Sequence, residues 1–151
     1  MQIVPYRTEH LPALRTILEH VGWSAHHVTM TALSVESLAL RPGCAVFVAE
    51  EESGAALGFV TVEHYAWNNL AQVQGLAVEP QRQRTGIALA LVQRAEHFAA
   101  ERGARGIFVD TPSNNRGGRA FYLAAGYAEG YLMPRYYDDD SDGVTYQKFF
   151  R

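Results

Sequence analysis

The chain has 151 residues, 48% of them apolar and 19% charged, with a formal net charge of −3 and one cysteine. That length and balance give a single domain over residues 1–151 with a sizeable core, and exclude a disordered or membrane-embedded chain. A mildly acidic chain does not attract nucleic acid or anionic lipid, Cys44 alone cannot form an internal disulfide, and no apolar run reaches signal-peptide or membrane-spanning length, so a cytoplasmic protein without nucleic-acid or membrane partners is expected.

In chain order, "QIVPY" reads as a short strand and "TEHLPALRTILEHVG" as a helix. Thr8 is placed to cap that helix, and Leu11, Leu14, Leu18 and Val21 share one side. "SAHHVTMTALSVESLAL" reads as a second helix, ended by "RPG". "CAVFVAEEESGAALGFVTVEHYAW" is a hairpin of two strands turning at Ser53-Gly54. "AQVQGLAV" is the fourth strand, with Gly75 marking a bulge or a close backbone approach. The next helix starts at Gly86, puts Ala88, Leu91, Val92, Ala95 and Phe98 on one face, and stops before Gly103. "GIFVD" is a fifth strand, "RGGRAFYLAAG" a short helix and "VTYQKFF" the last strand. Hairpins combined with one βαβ crossover predict an α/β fold around a mixed sheet.

The join between the fourth strand and its following helix, "QRQRTGIALA", is the most informative stretch. A strand, a short loop, a glycine and a helix aim unpaired backbone N–H groups at an anion, and the helix dipole adds positive potential there. Gln83, Arg84, Thr85, Gly86, Ile87 and Ala88 form this loop, with charge added by Arg82 and Arg84. Gly86 has no side chain to keep a phosphate off the main chain. Spacing alone fits a plain strand-to-helix connection equally well. The loop lacks the Lys-Ser/Thr pair of a Walker motif and the three-glycine spacing of a dinucleotide fingerprint.

Together with "NNRGGRAFYLAAGY" one strand later, the stretch "VEPQRQRTGIALALVQRA" resembles the GCN5-related N-acetyltransferase (GNAT) superfamily. Gln83, Gly86 and Ala88 match the family's Arg/Gln-x-x-Gly-x-Gly/Ala motif, and Asn115, Tyr122, Gly126 and Tyr127 match its second motif. The departures are Ala88, where glycine is commoner, and Gly118, where alanine is usual. The resemblance implies a mixed sheet of six to seven strands with helices on both faces and a splay between the fourth and fifth strands. It also implies acetyl-CoA as co-substrate, with an amine as the second partner and no metal. By carry-over, the main chain of Leu76, Ala77 and Val78 holds the pantetheine, Gln83 to Ala88 the pyrophosphate, and Asn115 and Tyr122 complete the cofactor site.

Acyl transfer from a thioester to an amine sets three needs. The ammonium, with a pKa of about 10, must lose a proton. The oxyanion needs a donor, most simply a backbone N–H near the bulge. The leaving thiolate needs a proton, a role the resemblance gives to Tyr122. For the base it points to Asp110, which stands where N-terminal acetyltransferases have a glutamate. Aspartate is shorter, so it acts directly or through water, or else merely caps the "TPSNN" turn. Gln72 stands where other members have a glutamate and cannot be a base. Glu63 and His64 face opposite sides of their strand, so one points to the acceptor cleft, and His64 has the better-suited ordinary pKa.

"RYYDDDSDG" resembles the acceptor loop of ribosomal-protein and N-terminal acetyltransferases, which makes Tyr136 and Asp138 candidate acceptor residues. Its aspartates would attract a cation, or form a solvated turn. They imitate the start of a calcium loop, but Phe149 stands at the twelfth place, which excludes an EF-hand. "WNNLAQVQGLAV", "DTPSNN" and "AFYLAAGY" resemble the streptothricin acetyltransferases instead. His26-His27 lacks metal-site spacing, and Cys44 lacks the surroundings of an acyl carrier. The expected protein is a monomeric or homodimeric N-acetyltransferase working through a ternary complex. The alternative is a non-catalytic acetyl-CoA-binding sensor or interaction module of the same fold.

Overall fold

A computed structural model describes residues 1–151. In chain order its elements are β1 (Gln2–Pro5), α1 (Leu11–His20), α2 (Ala25–Leu40), β2 (Cys44–Glu50), β3 (Ala56–Tyr65), β4 (Leu70–Val78), α3 (Ile87–Glu101), β5 (Gly106–Pro112), α4 (Arg116–Ala124), β6 (Ala128–Met133) and β7 (Gly143–Phe149). Short 3-10 turns occupy Thr8–His10 and Pro80–Arg82. The strands form one seven-stranded sheet in the order β1-β2-β3-β4-β5-β7-β6. Only β4 and β5 run parallel, because α3 carries the chain back across the sheet between them.

Side-chain alternation divides the core into two layers. On one face Val46, Val48, Phe59 and Ala77 pack under Leu14, Ile17 and Leu18 of α1 and Val28, Val35 and Leu38 of α2. On the other, Phe47, Val60, Val62, Val73, Ile107 and Val109 meet Ile87, Leu91, Val92 and Ala95 of α3 and Tyr122 of α4. Of the apolar stripes read from the helices, Leu14 and Leu18 of α1 and Leu91, Val92 and Ala95 of α3 are buried, joined by Ile17, Ile87 and Ala99, whereas Leu11, Val21, Ala88 and Phe98 are only partly buried.

Two details depart from the expected elements. Thr8 does not cap α1: it begins a 3-10 turn, and α1 starts at Leu11 with Pro12 in its first turn. The turn is held instead by the Arg7 amide, which donates to His10 Nδ1 at 2.9 Å. The strand β6 between α4 and the acidic loop was not in the element order read from sequence. All its residues are exposed, so "AEGYLM" has no buried–exposed alternation to read.

The sheet opens where β4 and β5 part. Their parallel ladder runs from Leu70↔Gly106 to Val73↔Val109 and ends there. Beyond it β4 stays with β3 as far as Val78↔Gly58, and β5 stays with β7 as far as Pro112↔Gly143. A bulge sits at the fork: Thr61 pairs with Gly75 and Val62 with Val73, leaving Gln74 as the extra residue. A β-carbon on Gly75 would lie 3.1 Å from Thr61 Oγ1, which explains the glycine in this strand.

Candidate active site

The loop from β4 to α3 presents a run of backbone amides without partners. The Arg82 and Gln83 amides turn back onto Glu79 and Pro80, and the Ala90 amide opens the helix ladder on Gly86. Between them, the amides from Arg84 to Leu89 have no backbone acceptor. Arg84 (φ 65°) and Gly86 (φ 89°) are both left-handed, which curls these amides into a concave nest at the helix N-terminus. Space in front of Gly86 is open: an added β-carbon would have nothing within 4 Å. Glycine is needed there for its backbone conformation. The side chains contribute less than the sequence suggests. Gln83 turns to the Val78 carbonyl at 3.2 Å, and Arg82 pairs with Glu51, leaving Arg84 as the free cation.

Leu76, Ala77 and Val78 lie on the stretch of β4 that has lost its partner on the β5 side. Unpaired strand backbone of this kind takes an extended ligand as an added strand. The bulge at Gln74 and Gly75 lies at the closed end of the same gap.

A polar face lies beside the fork, on the side of the sheet that carries α1 and α2. Asp110 Oδ1 accepts from Thr145 Oγ1 at 3.0 Å, while its Oδ2 accepts from Tyr136 Oη at 3.1 Å and Gln72 Nε2 at 3.5 Å. Every one of these partners is neutral. Tyr65 orients the Gln72 carboxamide by donating to its Oε1 at 2.8 Å. Gln74 Nε2 donates to Tyr65 Oη at 3.1 Å and to Glu63 at 2.6 Å, and Glu63 also accepts from Arg41 at 2.9 Å. Thr145 is buried, so Asp110 is fixed by the sheet and does not cap the turn after it.

Tyr122 comes from the opposite face. Its ring stacks on Tyr146 at 5.8 Å and meets Tyr127 edge-on at 5.5 Å, inside the layer that contains α3. Its hydroxyl makes no hydrogen bond within the protein, and the residue is 5% exposed. Burial pushes this phenol above its ordinary pKa, so it stays protonated across the neutral range. Asp110 and Tyr122 are not bonded to each other and lie on either side of β5. Tyr137 feels both: its phenol is raised first by burial and then by Asp110, Tyr136 and Tyr122.

The remaining candidates are dispersed. His64 is not brought to the polar face; its Nε2 lies 2.8 Å from Asn69 Oδ1 in the β3–β4 hairpin, so Glu63 is the member of that pair in the cluster. Asn115 caps α4, accepting the Gly118 amide at 2.9 Å. Asp138 stands 3.6 Å from His27 of α2. The other loop aspartates serve the turn itself: Asp139 accepts from Ser141, Asp140 from Arg135, and Asp142 from the Arg135 amide. Tyr65, Gln74, Thr145 and Tyr137 were missed by motif reading. The signal for Tyr65, Gln74 and Thr145 was polar residues at every second position in "VEHY", "AQVQG" and "VTYQ", which place a polar stripe on one sheet face; Tyr137, in the loop before β7, had none.

Residues 10–127 match the "Acetyltransferase (GNAT) family". The chain belongs to that family. This acetyltransferase is 34% identical over 114 residues to aminoglycoside N(6')-acetyltransferase type 1 of Klebsiella aerogenes, covering 72% of this chain and 74% of that protein. It is 32% identical over 82 residues to the streptothricin acetyltransferase of Streptomyces lavendulae, covering 54% of this chain and 43% of that protein. In that pairing it spans less than half of its relative's length. An aminoglycoside 6'-N-acetyltransferase solved in complex with coenzyme A shares its fold, with a TM-score of 0.81 at 18% identity over 99% of this chain and 97% of the other. The acetyltransferase is thus an acetyl-CoA-dependent enzyme that acetylates an amine. The family match includes the anion nest and Tyr122 and ends before Tyr136 and Thr145. No helix is long and apolar enough to cross a membrane.

Proposed function

We propose that this GNAT enzyme acetylates a primary amine of a small, cationic, hydroxyl-bearing acceptor of the aminoglycoside kind. Acetyl-CoA lies in the fork, its pyrophosphate on the Arg84–Leu89 amides and its pantetheine along Leu76 to Val78. The observation that carries the reading is the Asp110 carboxylate beside the fork, held by Thr145, Tyr136 and Gln72 with no cation against it. A buried-edge carboxylate with only neutral partners favours an ammonium as its ligand. Support comes from the 34% identity with an aminoglycoside acetyltransferase.

The steps follow from these placements. Asp110 takes the ammonium proton, directly or through one water, and frees the nitrogen lone pair. The amine attacks the thioester carbonyl, and a backbone N–H at the bulge meets the oxyanion. As the C–S bond breaks, Tyr122 gives its proton to the departing sulfur, leaving an amide and free CoA. The second proton of the attacking nitrogen passes through water to the Tyr122 phenolate, completing the amide, and the proton held by Asp110 returns to solvent.

Thiol release from acetyl-CoA, measured over aminoglycosides, streptothricin, polyamines and peptides with free N-termini, tests the reading. Turnover confined to small polycations supports it. Turnover of peptides alone overturns the acceptor class. Acetyl-CoA binding without turnover of any amine points to a non-catalytic sensor.

A further inference from the structure

Glu63 and Asp110 share one face of the sheet and are joined by a single hydrogen-bonded row through Gln74, Tyr65 and Gln72. Glu63 is paired in register with Gln72, and Gln72 with Phe108, two residues before Asp110. Two inter-strand steps and a two-residue advance put their α-carbons about 12 Å apart. The two carboxylates differ in one respect. Asp110 has neutral partners, whereas Glu63 already holds a cation, the Arg41 guanidinium at 2.9 Å.

Arg41 follows the C-terminus of α2 and is 49% exposed. Half-exposed ion pairs of this kind are weak, so another cation can replace the guanidinium at little cost. Beside the pair, a hollow of about 320 Å³ opens between α2 and β4, lined by Met30, Leu33, Ser34, Ser37, Arg41 and Gln74. That is the lower end of the range for small-molecule sites. Its wall combines apolar side chains with hydroxyls and a carboxamide, the mixture that suits a ring bearing hydroxyl groups.

We propose that Glu63 and this hollow form a subsite for a second cation of the acceptor, and that Arg41 holds the place of that cation in the free enzyme. The inference rests on the reading that the reacting amine binds at Asp110. The favoured acceptor then has at least two amino groups on the order of 10 Å apart, one acetylated and one anchored. A monoamine leaves the Arg41–Glu63 pair intact. A diamine of the right length displaces the guanidinium toward solvent.

Steady-state kinetics at saturating acetyl-CoA decide the matter, using α,ω-diaminoalkanes of increasing length, each against the n-alkylamine of equal length. The wild type should favour the diamine over its matched monoamine by about tenfold, the worth of one charge-assisted hydrogen bond, with a maximum at an intermediate length. Glu63→Gln should bring that ratio close to one. Arg41→Met should raise it, because the competing cation is gone. If Arg41→Met and Glu63→Gln both lower the ratio, the pair is only a tie between α2 and β3, and the inference is wrong. A wild-type ratio near one at every length also overturns it, while leaving amine acetylation intact. If none of these amines and no aminoglycoside is acetylated, the reading of the Asp110 site falls, and the subsite falls with it.

Discussion

The Asn115 carboxamide accepts the Gly118 amide at 2.9 Å, and a β-carbon at position 118 would stand 2.7 Å from the nitrogen of the same carboxamide. The cap and the glycine therefore go together. An alanine at 118 gains up to about 1 kcal/mol of helix propensity but turns Asn115 away and loses a cap also worth about 1 kcal/mol. Gly117 has no such neighbour, its nearest atom being 3.9 Å off. Gly117→Ala should raise the melting temperature by about 2–4 °C, and Gly118→Ala should leave it nearly unchanged. Equal gains from both would mean that the cap contributes nothing.

A single substitution separates packing from the acid role proposed for Tyr122. Its ring fills a slot between Tyr146 and Tyr127, and its hydroxyl makes no hydrogen bond within the protein. Tyr122→Phe keeps the packing, so stability and CoA affinity should hold while kcat falls by about 100-fold. Because burial raises this phenol's pKa, the wild-type kcat should show no loss from this group below about pH 10. A wild-type kcat in the phenylalanine variant would make the phenol a packing residue, with solvent protonating the thiolate.

Gly86 and Gly103 provide a matched pair at the two ends of α3. Both have left-handed backbones, and a β-carbon on either would meet nothing within 4 Å. Alanine at either should cost about 1 kcal/mol of stability, the penalty for that conformation. Only Gly86→Ala also crowds the anion nest, so only it should weaken CoA binding, by at least about tenfold. Calorimetric titration with CoA checks this. Equal affinities in the two variants would place the pyrophosphate elsewhere.

A buried cluster at the end of β2 sets the acid sensitivity of the fold. Glu50 accepts from His10 Nε2 at 2.5 Å and from Arg7 at 3.0 Å. The Arg7 amide donates to His10 Nδ1, so the ring proton sits on Nε2 and points at the carboxylate. The hydrogen bond from His10 is the main reason the Glu50 carboxyl is held below its usual range. Its stabilising contribution is therefore complete above the ordinary glutamate value of about 4.3 and is lost as pH falls through the lower folded value. Melting temperatures below about pH 4.5 should fall more steeply in the wild type than in Glu50→Gln. Parallel acid limbs would show that Glu50 has no part in the loss.

Helices α2 and α3, the β2–β3 hairpin and the nest were legible because each has a local cause. Ser24 caps α2, Gly54 turns the hairpin, and the apolar spacing of α3 has the helical period. The strand β6 has no such cause, since an edge strand exposed on every side carries no alternating pattern. In the candidate site, Tyr122 and the loop before α3 could be named because the motifs that contain them are short and contiguous in sequence. That Tyr136, Gln72 and Thr145 gather on Asp110 could not be read, although Tyr136 and Gln72 stood out for other reasons. The three come from distant segments that meet only once β7 is inserted between β5 and β6. Which of Glu63 and His64 reaches the polar face was likewise open in the sequence: the ordinary pKa suits the imidazole, but strand parity and a hairpin asparagine put Glu63 there.

The short ladder between β4 and β5 has a mechanical meaning. The sheet is two panels, β1 to β4 and β5 to β6, whose strand ladder is shared only from Leu70↔Gly106 to Val73↔Val109. On the proposed reading, the pantetheine arm lengthens that seam each time acetyl-CoA enters, and departing CoA must unzip it again. An acceptor that arrives first meets panels whose spacing is not yet set, so acetyl-CoA is expected to lead in the order of addition. Release of the spent carrier, a strand peeled from its neighbour, then becomes a natural brake on turnover.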